Sequence, residues 1–119
     1  MYMEKIKTLL FTLSITLLLG LASCNRENSN IVKYEVSCSP GGFFITYVNS
    51  GGNTEQRDVS TTSWTASFTG NSGDFVYVSA QANSENATVT ARIYYMGDLL
   101  ETATSNGDYV IASASTSLP

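Results

Sequence analysis

From residue 31 onward the chain predicts an all-β fold: a single immunoglobulin-like β-sandwich of seven to eight antiparallel strands. Three observations carry that expectation. Apolar residues recur at every second position in one short run after another, the period of a strand with one buried face. Clusters of Gly, Asn, Ser and Pro separate the runs at intervals of roughly 8–12 residues, as in sandwiches. Thr, Val, Tyr and Ser are abundant while Lys is scarce, and no helical stripe interrupts them. An up-and-down barrel is the alternative arrangement of such strands.

The elements follow in order. Val32, Tyr34 and Val36 alternate with Lys33, Glu35 and Ser37, and Pro40-Gly41-Gly42 then turns the chain. Phe43–Asn49 has Phe43, Ile45 and Tyr47 on one face and Phe44, Thr46 and Val48 on the other. Two apolar faces predict a central strand. Asn49-Ser50-Gly51-Gly52-Asn53 is a turn, and Glu55–Ser60 is a polar strand suited to an edge, with Gln56, Arg57 and Asp58 toward water. Ser63–Thr69 sets Trp64, Ala66 and Phe68 on one side, and Gly70-Asn71-Ser72-Gly73 reverses the chain. Phe75–Ala82 has Val76, Val78 and Ala80 on one face. Ala87–Met96 opposes Val89, Ala91, Ile93 and Tyr95 to Thr88, Thr90, Arg92 and Tyr94. Met96-Gly97-Asp98 marks a hairpin tip. Leu99–Thr104 and Tyr109–Ser115 complete the set, on either side of a turn at Ser105-Asn106-Gly107-Asp108.

The residues before this domain read as an address. Lys5 and Lys7 precede an uncharged stretch from Thr8 to Ser23 that is rich in leucine, and its 16 residues are fewer than a spanning helix needs. It ends in Leu21-Ala22-Ser23-Cys24, which resembles the bacterial lipobox: small Ala22 and Ser23 admit a peptidase, and the Cys24 thiol takes lipid. Expected are a signal peptide over 1–23, a polar tether over 24–30 and the sandwich over 31–119. The only cofactor expected is covalent lipid on Cys24, with more than one acyl chain for stable anchoring to a membrane. Residues 24–119 hold four basic and nine acidic residues, a formal charge of −5. Such a balance disfavours nucleic acid, whose binding rests on phosphate neutralisation. With Cys24 acylated, Cys38 stands alone, as a buried small residue or, second, a free thiol.

The absence of histidine from all 119 residues excludes Ser-His-Asp and Cys-His sites and histidine metal ligands. Trp64 is expected in the core, and of Tyr94 and Tyr95 one in the core and one at the surface. Glu55, Arg57 and Asp58 read first as a solvated edge and second, with Tyr94, as a contact for a partner protein. Arg92 is expected in a surface ion pair with a neighbouring strand. Asp98, Glu101 and Asp108 flank the last two turns, but their spacing fits no EF-hand loop, and no metal is expected. Neither Gly41-Gly42 nor Gly51-Gly52 leads into the Lys-Ser/Thr of a phosphate loop. No enzymatic activity is expected.

Val32-Lys33-Tyr34-Glu35-Val36, Ile45-Thr46-Tyr47, Gln56-Arg57, Val59, Trp64, Ser79-Ala80-Gln81, Thr90-Ala91-Arg92-Ile93, the Gly97-Asp98 turn and Thr102-Ala103-Thr104-Ser105 follow one another in an order and spacing similar to the MmpS family of transport accessory proteins. The resemblance covers residues 31–112. It implies a membrane-tethered β-sandwich beside an RND-type export permease of the cell envelope. Two features depart from the family. Its cysteine pair is missing, with Thr90 or Ala91 and Ile111 or Ala112 in those places, and a lipobox stands where the family has a transmembrane helix. A lipoprotein resides on the periplasmic or cell-surface face of the envelope, with an outer membrane favoured. The alternative function is a surface ligand-binding or adhesive lipoprotein that recognises its target through loops near Gly41, Gly51 and Gly97.

Overall fold

The structure, a computed structural model, describes residues 30–119. The signal segment and Cys24 lie outside the described residues. Eight strands follow in sequence: β1 (Ile31–Ser39), β2 (Phe43–Val48), β3 (Thr54–Val59), β4 (Ser63–Thr69), β5 (Phe75–Ala82), β6 (Ala87–Tyr95), β7 (Asp98–Gly107) and β8 (Ile111–Ser117). They form two packed four-stranded sheets, ordered β4-β1-β6-β7 and β3-β2-β5-β8, with every pairing antiparallel. The expected β-sandwich is therefore present. β1 and β6 are central in one sheet, and β2 and β5 in the other. β3 is an edge, as its polarity predicts.

Alternation along the strands builds the core. Val32, Tyr34, Val36 and Cys38 of β1 meet Phe43, Ile45 and Tyr47 of β2, Val76, Val78 and Ala80 of β5, and Val89, Ala91 and Ile93 of β6, all buried. Trp64 and Phe68 are half-buried against this core, Tyr95 lies in it and Tyr94 lies outside it. Cys38 is buried and free, so the first of its two readings holds.

Hydrogen bonding orients the edges. Cys38 N donates to Thr62 O, and Gly70 N donates to Asn30 O. Hydrogen-bonded pairs alternate along an antiparallel ladder, so even-numbered residues of β4 turn their backbone groups to β1 and odd-numbered ones turn theirs to the free edge.

The last turn differs from expectation. β7 continues to Gly107, and the chain reverses at Asp108–Val110 rather than at Ser105–Asp108. Ser105 and Asn106 are held in the ladder opposite Val89 and Thr88, and Thr88 Oγ1 donates to Asn106 Oδ1 at 2.7 Å. A bulge interrupts β7, with Ile93 opposite Glu101 and Tyr94 opposite Leu99. The extra residue, Leu100, turns inward half-buried and leaves Glu101 exposed. At the β6–β7 tip, Met96 (φ 54°) and Gly97 (φ 88°) are both left-handed, as a two-residue hairpin turn requires.

Candidate interaction surfaces

The predicted site residues fall in separate places. Glu55, Arg57 and Asp58 lie on β3, at the edge of one sheet, whereas Tyr94 lies on the outer face of the other sheet. They do not form one surface. Glu55 and Arg57 share the side of β3 that faces the opposite sheet, because they pair with inward Tyr47 and Ile45. Arg57 is nevertheless exposed. Its guanidinium donates to Glu55 Oε1 at 3.4 Å, and Asn49 Nδ2 donates to Glu55 Oε2 at 2.9 Å. Charges on the inward side of an edge strand oppose edge-to-edge pairing.

Tyr94 belongs to a charged surface. Arg92 pairs with Glu35 at 3.3 Å across β6 and β1, the ion pair expected of it, and Glu35 also holds Lys33 at 3.5 Å. The Lys33 ammonium sits 5.6 Å from the centre of the Tyr94 ring, a cation–π distance. Rows of Ser and Thr flank this group, and Thr90 and Thr104 hydroxyls meet at 3.1 Å.

The opposite outer face has another character. On β2, β5 and β8 its positions are Phe44, Thr46, Val48, Phe75, Tyr77, Ser79, Gln81, Ile111, Ser113, Ser115 and Ser117, without a charge among them. Phe75 and Ile111, at opposite ends of this face, are more than half exposed, and Phe44 is exposed at the Ile111 end, across Gln81. The Phe75 and Tyr77 rings stack at 6.5 Å with 13° between planes. Ser79 and Ser113 hydroxyls lie 2.7 Å apart between the two apolar ends of the face. Uncharged, partly aromatic exposed surface of this kind marks interaction sites. The sequence carries its signal in the second face of Phe43–Asn49 and in Phe75 and Tyr77, which alternation places opposite the core.

The loops named for the alternative function are not gathered. Gly41 lies at the end where β1 runs into β2. Gly51 and Gly97 lie at the opposite end, with Asn30. Asp98 is likewise separated by the length of β7, and Glu101 by more than half of it, from Asp108, whose carboxylate accepts the Asn86 N–H at 2.8 Å. Among the described residues no three His, Cys, Asp or Glu side chains converge.

One tyrosine joins the layers. Tyr34 of β1 is fully buried, and its hydroxyl donates to Val48 O at 2.7 Å and accepts Tyr77 N–H at 3.2 Å. The β2–β5 register ends at Tyr47 opposite Val78, and Val48 and Tyr77 are the next residues beyond it, so the hydroxyl takes the place of the following rung in the other sheet. Burial pushes its pKa up to about 12. The donated Tyr77 N–H opposes the rise and nearby Tyr47 adds to it. No protein-family model and no curated protein matches the chain.

Proposed function

We propose that this protein is a lipid-anchored lipoprotein of the bacterial envelope whose β-sandwich makes protein–protein contacts and performs no chemistry of its own. Its partner, on this reading, is an RND-type export permease, and its location is an outer membrane. The observation that carries the contact role is the uncharged outer face of β2, β5 and β8, with Phe44, Phe75 and Ile111 exposed to water. Exposing such residues is unfavourable without a partner to cover them. The Leu21-Ala22-Ser23-Cys24 sequence supports the anchor, and the MmpS-like order of residues over 31–112 supports the exporter as partner.

The test joins anchor and face. In cells given labelled palmitate, the parent chain takes up label and sediments with membranes, while Cys24→Ala does neither. A photo-crosslinker at Phe75 captures a large permease subunit, whereas one at Tyr94, on the charged face, does not. Label on the Cys24→Ala chain would remove the anchor reading. Equal capture from both faces, or none from Phe75, would remove the contact reading.

A further inference from the structure

We propose that the free edge of β4 is the site where two copies of this chain join, strand to antiparallel strand, about a two-fold axis through Ala66. The four edge strands of the sandwich are not alike. β3 carries Glu55, Arg57 and Asp58, and β7 carries Asp98, Glu101 and the bulge at Leu100. Charges and bulges are devices that stop edges from pairing. β4, Ser63-Trp64-Thr65-Ala66-Ser67-Phe68-Thr69, has neither charge, proline nor bulge, and it pairs on one side only.

What selects a second copy is the order of residues in β4. Read in either direction it runs hydroxyl, aromatic, hydroxyl, alanine, hydroxyl, aromatic, hydroxyl. Reversal about Ala66 therefore sets Trp64 on the partner's Phe68, Thr65 on the partner's Ser67 and Ser63 on the partner's Thr69. Aromatic cross-strand pairs stabilise a sheet, and small alanines at the centre let the strands close. Trp64, Ala66 and Phe68 are all half-buried on the inward side, ready to lose their remaining exposure.

The backbone agrees with the same axis. The groups turned to the free edge belong to Ser63, Thr65, Ser67 and Thr69. In the reversed register these residues face one another in hydrogen-bonded pairs, while Ala66 meets Ala66 in a pair without hydrogen bonds. Among the described residues the edge-facing groups of Thr65 and Ser67 have no hydrogen-bond partner. The Ser63 carbonyl accepts the Thr61 hydroxyl at 2.9 Å and keeps a second lone pair. β8 is also uncharged, but reversal about Ala114 sets Ile111 on Ser117, and its inward side offers only Ala112, Ala114 and Thr116. Charge does not oppose the union at β4, because the neighbouring edge of the other sheet presents Glu55 and Arg57 as a balanced pair. The axis places the two Asn30 residues at opposite ends. Seven residues span at most about 25 Å, which bounds how far a lipid on Cys24 can stand from Asn30.

The test is cross-linking of the full chain in membranes, with Ala66→Cys as the probe. Facing Cα atoms in a non-hydrogen-bonded pair lie about 4.5 Å apart, within disulfide reach. The parent chain, with its own free Cys38, sets the background, and Thr65→Cys is the register control, since the two positions 65 stand more than ~7 Å apart. Mild oxidation is expected to raise the disulfide-linked dimer at least tenfold over the parent for Ala66→Cys and not for Thr65→Cys. Adding Thr65→Pro removes an edge-facing N–H without touching the β1 ladder and is expected to return the dimer to background. Light scattering of the parent chain in detergent, corrected for bound detergent, gives the mass of a dimer. A monomer mass overturns the proposal. So do an Ala66→Cys chain no more cross-linked than the parent, and stronger linkage at position 65 than at 66.

Discussion

The two ends of the sandwich are closed in different ways. At the end that holds Asn30, large side chains fill the space between the sheets. Tyr34, Tyr47 and Tyr95 are buried there, Tyr34 meets Phe68 edge-on at 5.3 Å, and Leu118 lies 3% exposed beside Gly70 and Val32. At the end that holds Pro40, Phe43 is the one large side chain that is fully buried, accompanied by Cys38, Ala82 and Ala87, with Trp64, Val59 and Val110 only half-buried. Backbone bonds tie the loops of both ends, as in Leu118 N to Asp74 O at the first, but at the Pro40 end Asn83 N to Gly42 O, Tyr109 N to Ser84 O and Ala82 N to Val110 O stand with few large side chains beside them. An end closed by side chains concentrates its stability in a few residues. An end closed by backbone spreads it over loops that tolerate substitution at their exposed positions.

Leu118→Ala is the strongest way to break this difference, and an expected loss of about 3 kcal/mol follows from deleting a buried leucine. Urea unfolding with an unchanged slope and a lowered midpoint checks it. Gly70→Ala attacks the same contact from the other side. A Cβ there would stand 2.7 Å from both Leu118 Cδ1 and Val32 Cγ2. Leu118 can swing, but Val32 is fully buried on a central strand and stiff at χ1. Overpacking of this kind costs about 2 kcal/mol. Combined with Leu118→Ala, the Gly70→Ala penalty should shrink, and a double-mutant cycle showing plain additivity would mean that the two do not share a contact.

Tyr34→Phe comes next, at about 1.5 kcal/mol, because it strands the Tyr77 N–H and the Val48 carbonyl that the hydroxyl joins. It also has a signature in pH. The folded pKa of about 12 lies above the ordinary value of 10.0, so the folded state holds this proton more tightly. The stabilisation is complete below pH 10 and falls as pH rises from 10 toward about 12, by about 1.4 kcal/mol per unit. Subtracting the Tyr34→Phe curve from the parent's isolates that slope from those of the other tyrosines. Parallel curves above pH 10 would contradict the clasp.

Period-two alternation made the strands and inward faces legible, down to Val32, Tyr34 and Val36, because a two-sided pleat leaves no other place for alternating apolar residues. The polarity of Glu55–Asp58 placed β3 at an edge for the same reason. The partner of each strand was not legible, since no local pattern says that β1 lies between β4 and β6. The longer β7 escaped because Ser105-Asn106-Gly107 has turn composition, yet cross-strand pairing with β6 holds it extended. Composition is a weak guide where long-range pairing decides. The site was legible only in part. Alternation separates Phe44 and Phe75 from the core, but that they share one uncharged face depends on β2 pairing with β5. Likewise Glu55, Arg57 and Asp58 are adjacent in sequence with Tyr94 far along it, and only the layer order shows that they belong to different surfaces.

The smallest effect belongs to the Pro40 end. Asp108 is exposed, and its carboxylate accepts the backbone N–H of Asn86, a residue held at φ 52°. That bond ties the β5–β6 loop to the β7–β8 loop, yet water can replace it, so Asp108→Ala should cost only about 0.5–1 kcal/mol. Its local effect should be larger than its global one. The two loops already share the Tyr109 N to Ser84 O bond, so loss of the carboxylate frees the Asn86 amide first. Hydrogen exchange should therefore speed up at Asn86, with no change at Tyr77 near the other end. A loss from Asp108→Ala as large as that from Leu118→Ala would show that both ends depend equally on single side chains, and the contrast between them would fall.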